Sequence, residues 1–152
     1  MTDDKIERKI AVIFATDVVG YSKHMEQDED ETLKSFRTCK KILEKLFEEH
    51  GGTIFNTAGD SILAEFPSAV SAVVCASEFQ ELIKERNDNN RSPVNLQFRI
   101  GINMGDVVKE ESNLYGDGVN IAARLEALAQ PNGICLSKSV YDLVNKKTKF
   151  LF

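Results

Sequence analysis

Apolar positions along this 152-residue chain fall into short runs of two different periods, and the two alternate. Ile10 to Thr16 is a brief β-branched run, which reads as a strand buried on both faces. After it, Leu33, Phe36, Leu43, Leu46 and Phe47 recur at helical spacing, with Asp28 or Asp30 placed to cap the start. Gly51-Gly52 ends that helix, because glycine enters the left-handed cap conformation without strain. Thr53 to Thr57 and Ser61 to Phe66 predict two strands joined by the tight turn Ala58-Gly59-Asp60. Pro67 suits the first turn of a second helix, whose apolar face is Val70, Val73, Val74, Phe79, Leu82 and Ile83.

Asn87 to Pro93 is a loop by composition. Leu96, Phe98, Ile100 and Ile102 alternate, which predicts a strand over Leu96 to Met104, and Val107-Val108 begin another. A helix follows from about Asp117 to Ala129, then a turn at Pro131-Asn132-Gly133, a strand over Ile134 to Leu136 and a helix capped by Ser137. The order β-α-β-β-α-β with additions after it is an α+β, ferredoxin-like (split βαβ) plan. No repeat or linker interrupts it, so residues 1–152 are expected to form a single domain. The final Lys149-Phe-Leu-Phe152 looks like the first half of a strand, and the domain is expected to be truncated at its C-terminal end.

Composition narrows the partners. An apolar fraction of 42% and a charged fraction of 28% are those of an ordinary globular protein. A net charge of −5 and a pI near 5.1 argue against nucleic acid, though not against a nucleotide, whose charge metal ions can carry. The polar, acidic start has no secretory signal, and apolar runs stop far short of the roughly 20 residues that span a bilayer. No membrane contact is expected from this segment, and a cytoplasmic location is. Cys39, Cys75 and Cys135 form no CxxC pattern and are read as reduced thiols, two or more of them buried.

Asp17 stands where the first strand ends, and Asp60 in the hairpin turn. Either alone reads as a turn residue. In the split βαβ plan, however, the first strand lies beside the hairpin, so both carboxylates reach one point. There they suit two Mg²⁺ or Mn²⁺ ions about 3.5–4 Å apart, the clamp used in phosphoryl chemistry. Asn120 and Arg124, spaced i and i+4, project from one helical face. Arg124 offers a planar fork for phosphate charge, and Asn120 a group to orient a ribose. Without the aspartates, a solvated arginine and a capping asparagine would be the plainer reading. His24 and His50 are isolated and suit neither a metal nor a general base.

Phe14-Ala-Thr-Asp-Val-Val-Gly-Tyr-Ser22, the hairpin around Gly59-Asp60, Phe98-Arg-Ile-Gly-Ile-Asn-Met-Gly-Asp106 and Tyr115 through Glu126 resemble, in order and spacing, the class III adenylate/guanylate (nucleotidyl) cyclase catalytic domain. The likeness runs from about Lys9 to Phe152. It implies conversion of a nucleoside triphosphate to a 3′,5′-cyclic nucleotide and pyrophosphate with two metals. Asp17 and Asp60 match the family's metal aspartates, with a backbone carbonyl near Val18 contributing. Asn120 matches the ribose-orienting residue and Arg124 the one that stabilises the transition state. In the family these pairs come from different subunits, so the resemblance implies a homodimer.

Asn56 stands where adenylate cyclases of the family place lysine, and Asn113 where they place Asp or Thr; guanylate cyclases favour Glu and a small residue such as Cys. For adenine, Asn56 would donate and Asn113 accept; flipped amides would meet guanine instead. ATP is the favoured substrate and adenylate cyclase the favoured activity. A guanylate or relaxed-purine cyclase, or a catalytically degenerate homologue serving as a nucleotide-binding signalling module, stays open. Lys146, Lys147 and Lys149 do not match the family's triphosphate-binding basic residue and read as a solvated cluster.

Overall fold

The computed structural model describes residues 6–89 and 92–145. Lys146, Lys147, Lys149 and the half-strand expected at the C-terminus lie outside them. The elements run β1 (Ile6–Val18), α1 (Tyr21–Gln27), α2 (Glu29–His50), β2 (Thr53–Ala58), β3 (Ser61–Phe66), α3 (Ala69–Asp88), β4 (Phe98–Glu110), β5 (Asn113–Tyr115), α4 (Asp117–Leu128), β6 (Ile134–Leu136) and α5 (Lys138–Asn145). The strand order is β2-β3-β1-β4-β5, with β6 also on β4. Its first four strands give the ferredoxin-like order that the sequence predicts.

β1 is the centre of the sheet. It pairs antiparallel with β4 from Ile6 opposite Glu110 to Val18 opposite Phe98. On its other side Val12 to Thr16 face Phe66 to Ile62 of β3. β5 and β6 share the far edge of β4, β5 antiparallel to Val108–Glu110 and β6 parallel to Ile100–Ile102. Because side chains alternate along a strand, Val12, Phe14 and Val18 face one cluster while Ala11, Ile13 and Ala15 face another.

The first face is covered by α2, α3 and α5, and holds the large core. Phe14 meets Phe47 edge-on at 5.2 Å between centroids and Phe66 at 5.5 Å. A fully buried phenylalanine contributes about 1.5–3 kcal/mol by area alone, so this trio ties β1, α2 and β3 together. The second face is lined by small residues, and α4 lies directly on it across β4 and β1. An added Cβ at Gly101 would sit 2.3 Å from the Glu126 backbone nitrogen, so only glycine permits that contact.

Several expectations need correction. β1 and β4 are each 13 residues long, and Gly105-Asp106 does not interrupt β4 as expected: pairing with β1 continues through both residues. α1 and β5 are short elements beyond those that the sequence pattern predicts. Ser68, rather than Pro67, starts α3, accepting from the Ser71 amide at 3.1 Å. The buried face of α3 runs through Ala69, Ala72, Val73, Cys75, Ala76, Phe79 and Ile83, while Leu82 is exposed. Small residues set that face, because they let the helix approach the sheet and α2 closely. Asp28 caps α2, accepting from Glu31 at 3.1 Å, and Gly51 closes it at φ 84. Cys39 and Cys75 are buried free thiols, as expected, and Cys135 is half-buried.

The sheet also curls. Register shifts between Ile54 and Asn56, which leaves Phe55 as an extra residue in β2 and bends the strand. Phe55 and Leu63 pack against the cluster that contains Leu114, and β2 meets β5 although the two stand at opposite ends of the strand order.

Candidate active site

Asp17 lies on β1 one residue before its end, with the same parity as Ala11, Ile13 and Ala15, and so on the α4 side of the sheet. Asp60 sits in the two-residue turn between β2 and β3, whose last ladder pair is Ala58 with Ser61. Its Oδ2 accepts from the Val18 amide at 2.8 Å, a bond that fixes the hairpin tip against the residue after Asp17. The two aspartates, expected at one point from the strand order, meet at the end of β1 in the fold. Val18 contributes its amide to Asp60; its side chain is buried in the large core.

Two further residues, Arg99 and Glu126, complete this cluster. Arg99, directly opposite Asp17 on β4, donates from Nε to Asp17 Oδ1 at 3.3 Å and from Nη2 to Oδ2 at 3.0 Å. The same Nη2 lies 3.3 Å from Glu126 Oε2, and Nη1 donates to the Ala127 carbonyl at 3.2 Å. Thr16 Oγ1 donates to the Arg99 carbonyl at 2.8 Å, which pins the backbone beneath it. Asp17 is held by a fork-on-fork arginine pair.

Glu126 is 7% exposed, with its carboxyl toward Asp17. Burial first, and the Asp17 charge second, push its pKa up to about 8 against the opposing pull of Arg99. Its carboxyl is hydrogen-bonded to Asp17, a pairing that favours the protonated form. The hydrogen bond to Asp17 holds the Arg99 guanidinium still more firmly charged than usual. Signals for both residues exist in the sequence. Arg99 has the opposite parity to apolar Phe98, Ile100 and Ile102, and Glu126 falls on the buried stripe with Val119 and Ala122.

Asn120 and Arg124 do project from one face of α4, and both are exposed. Neither makes a hydrogen bond or ion pair with Asp17 or Asp60 among the described residues. The turn of the helix explains this: Glu126, two residues beyond Arg124, faces inward, so Arg124 faces away. Exposed Ile121 and Leu128 share the outer surface of this helix.

Asn56 and Asn113 are carried by β2 and β5, the two strands that the curl brings into contact. Asn56 pairs with Leu63 in the ladder and is exposed, and its side chain makes no hydrogen bond among the described residues. Asn113 is pinned: its Oδ1 accepts from the Leu114 amide at 2.8 Å, and its Nδ2 donates to the Tyr115 hydroxyl at 3.1 Å.

His50 is not isolated as expected. Its Nε2 lies 3.0 Å from Glu78 Oε1, joining the end of α2 to α3. Among the described residues, no helix is long and apolar enough to cross a membrane.

Comparison with known proteins agrees with this architecture. The profile described as the adenylate and guanylate cyclase catalytic domain matches residues 3–152. "Putative adenylate cyclase 3" of Rhizobium meliloti (strain 1021) is 41% identical over the whole chain, which spans 26% of that relative's length. The crystal structure of an adenylate/guanylate cyclase/hydrolase from Silicibacter pomeroyi superposes with a TM-score of 0.90 at 36% identity, covering 97% of this chain and 87% of that one. The guanylyl cyclase Cya2 superposes with a TM-score of 0.80 at 27% identity, over 90% of this chain and 78% of its own. The paired strand end and turn, the small-residue seat of α4 and the profile over nearly every residue converge on one assignment: this chain belongs to the class III adenylate and guanylate cyclase catalytic domain family.

Proposed function

We propose that the chain is an adenylate cyclase domain that converts ATP to 3′,5′-cyclic AMP and pyrophosphate at the interface of a homodimer. One observation carries this reading: the two aspartates converge at the end of β1, while Asn120 and Arg124 point outward from α4 of the same chain. A single copy offers two half-sites facing different directions. A second copy supplies each half with its complement, giving two equivalent sites.

The donor set at the strand end suits hard divalent cations. Asp60 spends one oxygen on the Val18 amide and keeps Oδ1 without a protein partner among the described residues. Asp17 and Asp60, with the Val18 carbonyl, would hold two Mg²⁺ or Mn²⁺ ions, which when bound lower the pKa of the ribose 3′-hydroxyl and neutralise triphosphate charge. In the reaction the 3′-oxygen forms a bond to the α-phosphorus, the bond from that phosphorus to the β-phosphate bridge breaks, pyrophosphate departs with that bridging oxygen, and the hydroxyl proton passes to water. Arg124 meets the charge that grows on the phosphoryl oxygens, with a fork that matches their geometry. Asn120, one turn earlier on the same exposed face, orients the ribose so that its 3′-oxygen stands in line.

Asn56 and Asn113 meet the base at the β2–β5 contact. The 41% identical relative, by its name, favours adenine. A second reading, a guanylate or relaxed-purine cyclase, is favoured by the pinning of Asn113. With Oδ1 turned to the Leu114 amide, its NH₂ keeps a second hydrogen, which suits the guanine carbonyl better than the adenine amine.

Incubation with ATP and with GTP, with Mn²⁺ or Mg²⁺, at several protein concentrations tests both readings. Cyclic AMP with a specific activity that rises with concentration is the expected result. Comparable cyclic GMP selects the relaxed-purine reading. No product from either nucleotide selects the degenerate nucleotide-binding module.

A further inference from the structure

The last turn of α2 places Glu49 and His50 beside Glu78 of α3, and the three side chains bring one ligand atom each within 4.8 Å of one another. Along the sequence His50 has no metal-binding constellation around it; α3 supplies the missing group. His50 Nε2 already stands 3.0 Å from Glu78 Oε1, with the histidine side chain 20% exposed and the glutamate 47%. In a tetrahedral zinc site, with bonds of about 2.0–2.2 Å, neighbouring ligand atoms lie about 3.4 Å apart. Closing the three groups on such an ion takes side-chain shifts of about 1.4 Å at most. Both glutamates are exposed and free to make them.

The chemistry of the set is selective. Two carboxylates and a neutral imidazole carry two negative charges, which a divalent cation cancels. The imidazole nitrogen favours zinc-class ions over Mg²⁺ and Ca²⁺, which prefer oxygen. The end of α2, closed by Gly51 at φ 84, adds the negative pole of the helix. Both carboxylates also act on the Cys75 thiol, one turn before Glu78: burial, then Glu78 and Glu49, push it up to about 12. That thiol stays protonated and outside the cluster, so water rather than sulfur completes the coordination.

We propose that Glu49, His50 and Glu78 form a binding site for a zinc-class divalent ion that clamps the end of α2 to α3. The ion takes the place of the hydrogen between Nε2 and Oε1, and that hydrogen passes to Nδ1 or to water. The site shares no residue with the Asp17 and Asp60 pair and does not depend on the cyclase reading.

His50→Gln, Glu78→Gln, His24→Gln and Asp17→Asn test it with Zn²⁺ alone, in the absence of nucleotide. Glutamine leaves a hydrogen bond available across the pair, and metal-free melts by circular dichroism establish that each variant folds. By isothermal titration calorimetry, His50→Gln and Glu78→Gln are each expected to weaken one Zn²⁺ site by roughly tenfold to hundredfold or more. His24→Gln and Asp17→Asn are expected to retain that site. Zn²⁺ at about 100 times its Kd should raise the melting temperature by about 5–10 °C in wild type and in Asp17→Asn, and not in His50→Gln. The chain has two histidines, so proton resonance spectra resolve them: the ring signals of His50 should move on Zn²⁺ addition and those of His24 should not. Equal Zn²⁺ binding by wild type and His50→Gln, or no Zn²⁺ bound by Asp17→Asn, overturns the site. Loss of binding in His50→Gln while Glu78→Gln binds as wild type does reveals a lone surface histidine and overturns it as well. Should His50→Gln fail to fold, Glu78→Gln decides alone.

Discussion

Gly101→Ala adds one methyl group at the seat of α4, where an added Cβ would lie 2.3 Å from the Glu126 nitrogen, 2.4 Å from the Ala122 oxygen and 2.8 Å from the Glu126 Cα. All three neighbours are backbone atoms of one helix, so no side chain can turn aside. Ordinary contact needs roughly 3.5 Å, which requires α4 to lift by about 1 Å. An extra methyl forced into a packed site destabilises by about 1–3 kcal/mol, and rigid neighbours place this one at the upper end. Alanine's lower chain entropy in a strand recovers about 0.5–1 kcal/mol. A net loss of about 2 kcal/mol lowers the melting temperature by about 4–8 °C for a domain of this size. Activity falls further, because the lifted helix carries Asn120, Arg124 and the partners of Arg99, and a displacement of about 1 Å in a reacting group can reduce rate on the order of 100-fold. Thermal melts and cyclic nucleotide production, compared with Gly20→Ala, measure both effects. Gly20 has nothing within 4 Å of an added Cβ, so alanine there meets only the strain of φ 63, about 1–2 kcal/mol. A Gly101→Ala protein that melts with wild type and keeps full activity would refute the close seating of α4.

Other consequences are as direct. Asp60→Asn retains an acceptor for the Val18 amide, so the melting temperature should change little while cyclic nucleotide production falls on the order of 100-fold; retained activity would show that the charge of Asp60 is unused. Asp28→Ala removes the cap on the Glu31 amide and should lower stability by about 1 kcal/mol in denaturant melts without altering KM. Burial pushes the Cys39 thiol up to about 11 and the Cys75 thiol up to about 12 from an ordinary 9.0. The folded core holds the neutral thiols, so between pH 9 and 11 the unfolded chain binds fewer protons than the folded one. The stability they support is complete below pH 9 and is lost as pH rises, by up to about 1.4 kcal/mol per pH unit for each thiol. Urea melts from pH 8 to 10.5 should show this decline, and Cys75→Ala should make it shallower.

What the sequence reveals and what it hides follow from the range of the interactions involved. The hairpin around Gly59-Asp60, the cap at Asp28 and the Gly51 stop are set by neighbouring residues, and each appears where local chemistry puts it. The convergence of Asp17 and Asp60 was legible too, because the order of strands dictates that β3 lies beside β1. Gly105-Asp106 looked like a break because glycine and aspartate disfavour strands. Pairing with β1 along all 13 residues outweighs that local preference. Ala69, Ala72 and Ala76 were passed over as core because small residues carry little hydrophobic signal, although closeness of packing depends on them. Arg99 and Glu126 lie on different elements 27 positions apart, and no local pattern joins them; only the seating of α4 on Gly101 does. The Phe55 bulge, which brings Asn56 to the β5 strand that carries Asn113, is likewise a property of the folded sheet.

The central claim is that two copies of this chain share each active site, and complementation tests it most directly. Asp17→Ala lacks one half of the site and Arg124→Ala the other, so each variant alone should be inactive. Mixed in equal amounts and allowed to exchange subunits, half of the dimers would be heterodimers with one intact site of two. Activity should return to about a quarter of the wild-type value. A mixture as inactive as its components, from variants shown to exchange subunits, would contradict the shared site.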